Sequence, residues 1–316
     1  MKGSTLWHLE AGKAIEESIS ISSPKDGEVL VASKYSFISQ GTERLVSQGR
    51  IPKHLEDEMR VPYMKGSFSF PLTYGYSVIG EVVEGPSHLL GSWVHLMHPH
   101  GAYCKVLEKD VFLLPEEGND RYVLVANMET AINAIWDSGV SLGDQVLVIG
   151  QGSVGFLVAL LVSKITGVDV CVEDSNPVRQ KLGEDSGFLK HAEGNCYDMV
   201  FHTSGSQEGL QNSIDWLKTE GKVIELSWYG TRHVQLQLGG EFHSRRKRII
   251  SSQVSRIPVK KSEAFDFQKR KALAVRLIQQ ENLPELKLFS LAEIVDAFNK
   301  GLSLDYAFCA IDYSLK

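Results

Sequence analysis

A chain of 316 residues is long enough for two domains, and 43% hydrophobic against 23% charged residues is the balance of a globular protein with sizeable cores. A net charge of −6 excludes a broad nucleic-acid or membrane field, and the basic run Arg245-Arg246-Lys247-Arg248 is too short to reverse that. No apolar run reaches the length of a membrane span, and the N-terminus has no signal-peptide core, so a cytoplasmic protein is expected.

Residues 1–118 read as β-rich. Short alternating runs such as 28–32 and 77–83 are separated by Gly, Pro and Ser clusters. Residues 121–136 then read as a helix, with Val125, Met128, Ile132 and Ile135 at helical spacing. From Gln145 the pattern alternates: strand 145–149, helix 156–165, strand 168–172, helix 177–187, strand 198–202, helix 206–218, strand 222–227. Such alternation means a parallel sheet with helices on both faces. A further strand, 248–254, closes the sheet. The tail carries helices 265–280 and 291–300 and the apolar run 307–311. Cysteines 104, 171, 196 and 309 form no Cys-x-x-Cys pair, so neither a zinc ribbon nor a thioredoxin-type site is suggested.

The apolar strand 145–149 runs into Gly150-Gln151-Gly152-Ser153-Val154-Gly155, a Gly-x-Gly-x-x-Gly loop followed by an apolar helix. The first glycine permits the tight turn, the second lets a pyrophosphate reach the backbone, and the third lets helix and strand pack. The helix start offers free N–H groups and a positive dipole end to phosphates. The next strand ends in Glu173-Asp174, about 20 residues beyond the loop, where an acidic side chain grips a ribose. The acid repels a 2′-phosphate, so NAD(H) is favoured; Arg179 on the next helix keeps NADP(H) possible. Ligands of such sheets sit beyond the carboxyl ends of the strands. Ser153, Val154, Asp174, Ser175, Arg179, Thr203, Ser204, Gly205, Ser227, Trp228 and Tyr229 are therefore the expected cofactor-binding set with the three glycines.

Several segments resemble the medium-chain dehydrogenase/reductase superfamily along most of the chain. Ser39-Gln40-Gly41-Thr42-Glu43 is similar to its first active-site loop, and Tyr74-Gly75-Tyr76-Ser77-Val78-Ile79-Gly80-Glu81-Val82 to its Gly-His-Glu segment. Gly91-Ser92-Trp93-Val94, Gly101-Ala102-Tyr103 and Gly143-Asp144-Gln145-Val146 continue the likeness. Within the superfamily, Gly41-Thr42-Glu43-Arg44-Leu45 resembles the group that includes the bacteriochlorophyllide hydroxyethyl dehydrogenase. The resemblance implies an α/β chain: a GroES-like β-rich catalytic domain (1–118 and 256–316) plus a Rossmann doubly wound parallel-sheet domain (119–255). It implies an active site in the cleft between them, hydride transfer with a nicotinamide, and a homodimer, here expected to pair around Val234–Leu238. Zinc-dependent members use a Cys, a His and a further Cys or Glu. At those positions stand Ser39 or Gln40, Tyr76 with Ser77 after it, and Ala126 or Asn127, so a zinc-independent member is expected.

Without zinc, hydrogen-bond donors must stabilise the developing oxyanion. Tyr76 is either aimed at the substrate oxygen or packed with a satisfied hydroxyl. Ser39, Thr42 and Glu43 lie on the first loop, and Glu43 is an acid–base group or, more commonly, a salt-bridge partner. His98 and His100 share a face if they alternate on a strand, and one of them is a candidate general acid; Pro99 between them favours a turn instead. Asn127 and Glu129 are ordinary helix-start residues or orient the substrate. His243-Ser244-Arg245-Arg246 offers an arginine pair for a substrate anion, with surface solvation the commoner role. The expected partner is a small molecule, an alcohol or carbonyl. The alternatives are a quinone or enone reductase using NADPH, and a nicotinamide-binding sensor without catalysis.

Overall fold

The computed structural model describes residues 2–115 and 118–315. In chain order the first elements are β1 (Lys2–Glu10), β2 (Lys13–Ser20), β3 (Glu28–Phe37), α1 (Gln40–Ser47) and α2 (Glu56–Met59). Then come β4 (Val78–Glu84), β5 (Trp93–Leu96), β6 (Tyr103–Leu107), β7 (Phe112–Leu113) and α3 (Val125–Ser138). The alternating region follows: β8 (Gln145–Ile149), α4 (Ser153–Ser163), β9 (Asp169–Glu173), α5 (Pro177–Asp185), β10 (Leu189–Lys190), β11 (Tyr197–His202), α6 (Gln207–Asp215) and β12 (Leu217–Glu225). The chain finishes with α7 (Glu241–Ser244), β13 (Arg248–Ser251), α8 (Phe267–Gln280), β14 (Lys287–Phe289), α9 (Leu291–Asn299) and β15 (Cys309–Asp312).

The chain divides into two compact units. The first holds residues up to 126, 277–304 and those from 308 on; the second holds 127–276 and 305–307. The boundaries therefore fall later than 118 and 255. Residues 120–124 stay with the first unit because Ser77 Oγ donates to the Val123 carbonyl at 2.6 Å. Residues 256–276 stay with the second because Arg270 of α8 reaches Glu129 of α3.

The first unit is β-rich. A mainly antiparallel sheet runs β14-β15-β3-β4-β5-β7, with β6 on β3, and β1 and β2 form a separate antiparallel pair. Alternating inward residues of β3, β4, β5 and β6 build one core from Val29, Val31, Val78, Val82, Val94, Cys104 and Val106. A second core gathers Leu6, Ile38, Ile294, Phe298 and Ile311 under α9.

The second unit is a parallel sheet in the order β10-β9-β8-β11-β12-β13. Val146, Leu147, Val148, Val200 and Phe201 are buried on both faces, as a sheet covered by helices on both sides requires. Helix α4 starts three residues earlier than the apolar pattern indicates, with Gly152 as its N-cap, because its polar first turn is part of the loop. Strand β12 begins at Leu217, inside the expected helix 206–218, because Leu217 packs in the strand core beside Tyr197 and Val223. Residues 234–238 form no strand: the N–H groups of Gln235 and Gln237 are held by the side chains of Gln207 and Gln211 on α6. No helix among the described residues is long and apolar enough to cross a membrane.

Candidate active site

In the second unit the three loop glycines do separable work. Gly150 has φ +98°, and a Cβ there would lie 2.7 Å from the Ser204 nitrogen and 2.8 Å from Thr203 Oγ1. A Cβ on Gly155 would collide with the Gly150 carbonyl oxygen, so that glycine lets α4 start against the end of β8. A Cβ on Gly152 would meet nothing within 4 Å. The close contacts are made by the protein itself at the outer glycines, while the middle one faces open space at a helix start. A loop of that shape has room for a phosphate group.

Asp174 follows β9. Its carboxylate accepts the N–H of Gln151 at 2.5 Å and that of Asn176 at 2.7 Å, while its own N–H donates to Gln180 Oε1 at 2.8 Å. It thus braces the glycine loop from the neighbouring strand end. Arg179 donates from Nε to the Asp305 carbonyl at 3.1 Å, and Ser175 is exposed. Thr203 Oγ1 donates to the Gly150 carbonyl at 2.7 Å, and Gly205 N–H donates to Ser227 Oγ at 3.0 Å. Trp228 and Tyr229 follow, half-buried. Asn127 is buried: its amide donates to Ser153 Oγ at 3.1 Å, and its side-chain oxygen has no hydrogen-bond partner among the described residues. The carboxyl ends of β8, β9, β11 and β12 therefore gather the expected cofactor set.

In the first unit Tyr76 donates a short hydrogen bond to Ser39 Oγ, and the Thr42 hydroxyl also reaches it. Burial pushes the Tyr76 phenol up to about 12; the Glu43 charge adds to the rise, and the two hydroxyls oppose it. Ser39 stands at the N-cap position of α1, and the Glu43 carboxylate in the first turn accepts its N–H at 2.7 Å. The other Glu43 oxygen meets His100 Nε2 at 2.9 Å, with 2% and 0% of the two side chains exposed. His100 Nδ1 lies 2.8 Å from Ser36 Oγ, which lies 2.9 Å from the Tyr313 hydroxyl. Gly75 makes room for that imidazole: a Cβ there would come within 2.8 Å of Nε2. Burial raises Tyr313 far above the ordinary phenol range.

Tyr76, Ser39, Thr42, Glu43 and His100 are thus brought together. His98 is not joined to them by any hydrogen bond: Pro99 turns the chain, His98 Nδ1 pairs with the Pro99 carbonyl at 2.8 Å, and the ring stacks on Tyr63. Burial pulls its imidazole down to about 4. Glu129 is committed elsewhere, to Arg270 at 3.2 Å, and Arg270 also holds Asn133 Oδ1 and the Val254 carbonyl at 2.8 Å each. The basic run is absorbed as well. Arg245 pairs with Glu241 and Arg246 with Glu220, and Lys247 donates to the carbonyls of Ile214 and Asp215 at the end of α6. Sequence reading missed Ser36, Tyr313, His202 and Glu225. Only strand register places the last two side by side.

The donor set does not suit a catalytic zinc. The positions that the resemblance matches to zinc ligands, Ser39 or Gln40, Tyr76, and Ala126 or Asn127, offer no thiolate, imidazole or carboxylate, and Tyr76 is bonded to Ser39. Among the described residues no group of three His, Cys, Asp or Glu side chains is placed to hold a metal ion.

No family profile matches the chain. It is 29% identical over 177 residues to the zinc-type alcohol dehydrogenase-like protein YphC of Escherichia coli, covering 49% of this chain and 48% of that one. It is also 29% identical over 246 residues to 2-desacetyl-2-hydroxyethyl bacteriochlorophyllide A dehydrogenase of Rhodobacter capsulatus, covering 70% of this chain and 72% of the relative. The match thus spans about half the length of the first relative. A zinc-binding dehydrogenase of Sinorhizobium meliloti, solved with NADP, superposes with a TM-score of 0.76 at 16% identity over 99% of both chains. The fold is that of the medium-chain dehydrogenase/reductase superfamily, with its GroES-like and Rossmann domains, and the sequence matches fall in the same superfamily.

Proposed function

We propose that the chain is an oxidoreductase that moves a hydride between a nicotinamide cofactor and an alcohol/carbonyl substrate, with the Tyr76 hydroxyl in place of a metal at the substrate oxygen. The observation that carries the reading is the open cradle at Gly152, closed on either side by Gly150 and Gly155 and braced by Asp174. Gly150–Gly155 and the start of α4 would hold the pyrophosphate, and Asp174 the adenosine ribose. The carboxylate favours NAD(H) over NADP(H), a preference that rests on its charge; the Sinorhizobium relative was solved with NADP.

When bound, the nicotinamide supplies or accepts the hydride and its electron pair. Tyr76 then handles the proton. A phenol held near 12 stays protonated at neutral pH; on substrate binding its proton would turn from Ser39 Oγ to the carbonyl oxygen and pass to the more basic alkoxide formed there. Ser39 and Thr42 donate to the resulting phenolate. Glu43 and His100 fix the first turn of α1, which carries these hydroxyls. The donor set supports metal independence, and the resemblance together with the open edge of β13 supports a homodimer.

The test is a parallel titration with NADH and NADPH, read by energy transfer from tryptophan, followed by a panel of alcohols and aldehydes with metal content measured on the same sample. Tight NADH binding and turnover without stoichiometric metal are expected. Binding of neither cofactor overturns the reading, and turnover lost on chelation overturns the role of Tyr76.

A further inference from the structure

His202 closes β11 and Glu225 closes β12, and they are register partners on adjacent parallel strands. The Glu225 carboxylate accepts from His202 Nδ1 at 2.9 Å, from the Ser227 N–H at 2.6 Å and from the Tyr229 hydroxyl at 3.2 Å. Its orientation is thereby fixed. With Nδ1–H directed at a carboxylate, Nε2 is the nitrogen left to accept, a tautomer assigned from the bonding pattern. Nε2 lies 2.7 Å from Ser204 Oγ. The imidazole is fully buried, whereas Ser204 is exposed on the turn between β11 and α6.

The helix above is cut to fit this group. A Cβ on Gly209 would lie 2.5 Å from Ser204 Oγ, 2.7 Å from Ser206 Oγ and 3.0 Å from His202 Nε2. A hydroxyl on a base, and the base oriented by a carboxylate, is the pattern that activates a nucleophile. We propose that Ser204 is a nucleophile activated by His202 and oriented through Glu225, and that it gives the second unit a hydrolytic activity toward small activated carboxylic esters. This activity uses no hydride, and because Ser204 belongs to the expected cofactor set a bound nicotinamide would compete with it.

The chemistry closes without a redox partner. Ser204 Oγ bonds to the ester carbonyl carbon as its proton passes to His202 Nε2. The Ser206 N–H donates to Ser204 Oγ at 3.2 Å and holds that oxygen in place, and α6 begins at the next residue, its positive dipole end favouring the negative charge that develops there. Collapse breaks the bond to the leaving alcohol, which takes the proton from Nε2 and leaves an acyl group on Ser204. Water then attacks the acyl carbon and gives its proton to Nε2. The carboxylic acid leaves, and the proton returns to Ser204.

The experiment treats the purified full chain with a fluorophosphonate probe, maps the adduct by mass spectrometry, and follows p-nitrophenyl acetate hydrolysis. One adduct per chain on Ser204 is expected. Ser204→Ala should carry none and lose the esterase activity, and His202→Gln should slow labelling by about 10²–10⁴-fold, the usual contribution of a general base. Replacing the buried His202 risks unfolding, so melting curves accompany each variant and the wild-type adduct map decides by itself. No adduct, an adduct on another serine, or undiminished hydrolysis by folded Ser204→Ala overturns the proposal.

Discussion

Each unit contains a buried His–Glu pair whose second ring nitrogen meets a serine, yet the two are built for different ends. In the first, Glu43 takes His100 Nε2 and the serine is on Nδ1; in the second, Glu225 takes His202 Nδ1 and the serine is on Nε2. Ser36 is fully buried and passes its contact on to half-buried Tyr313, whereas Ser204 is exposed. The same three residue types therefore make a brace where the hydroxyl is sealed and a candidate nucleophile where it is open. Exposure and ring polarity separate the two roles; the list of hydrogen bonds does not.

The largest expected effect tests that contrast through catalysis. If the first unit handles the proton and the second the cofactor, Tyr76→Phe should lower kcat/KM for carbonyl reduction by about 10²–10⁴-fold while NADH affinity holds. Steady-state kinetics beside a binding titration checks it, and a parallel loss of NADH affinity would erase the division of labour. Stability sharpens the contrast next. Glu43→Ala strands a buried imidazole and the Ser39 N–H, and should cost about 3–5 kcal/mol, the usual penalty for breaking a buried pair. Glu225→Ala should cost less, because 12% of that side chain is exposed and water can enter. Urea unfolding of both variants gives the order, and a larger loss at Glu225 would reverse it.

The pH profile separates the two directions of the reaction. Because Tyr76 is raised to about 12, it is protonated throughout the working range. Carbonyl reduction, which uses the protonated form, should be flat from about pH 6 to 9. Alcohol oxidation needs the phenolate and should climb about tenfold per pH unit while pH stays below the phenol's value. An oxidation rate that levels off near neutrality would point to another base. In the second unit Asp174→Ser should shift the NADPH-to-NADH affinity ratio upward by about tenfold or more, since a like-charge clash is relieved. Overall affinity should fall slightly, because the same carboxylate holds the Gln151 N–H.

The glycine loop and Asp174 were legible in the sequence because backbone geometry dictates them: no side chain fits at 150 or 155, and the acid must stand where the next strand ends. Tyr76 with Ser39, Thr42 and Glu43 was legible through the resemblance, since 37 residues separate Tyr76 from Ser39. For Glu129 and His98 the sequence left a structural and a catalytic role open, for a common reason. What occupies them is decided by Arg270, 141 residues away, and by a ring stacked from Tyr63, and local spacing carries neither fact. The pair His202 and Glu225 hid in plain strands, because a polar residue at a strand end looks like the start of a loop until register places it beside another.

Gly209→Ala tests the second triad with the smallest expected disturbance. Gly209 is the third residue of α6, where this change ordinarily stabilises by no more than the helix-interior value of about 0.5–1 kcal/mol. Here the new methyl enters a space bounded by Ser204, Ser206 and His202. His202 cannot yield, since Glu225 holds its ring and the sheet buries it, so the Ser206 hydroxyl must also turn away from the Gly209 N–H it accepts at 2.9 Å, a loss of about 1 kcal/mol. Ser204 is exposed and can swing away by rotating χ1, at a cost of the same order as the helix gain. The melting temperature should therefore move by only a few degrees, while fluorophosphonate labelling falls as far as it does in Ser204→Ala. Labelling retained at the wild-type rate would mean that the hydroxyl reacts without the imidazole, and the likeness between the two His–Glu pairs would then extend to their function, as braces.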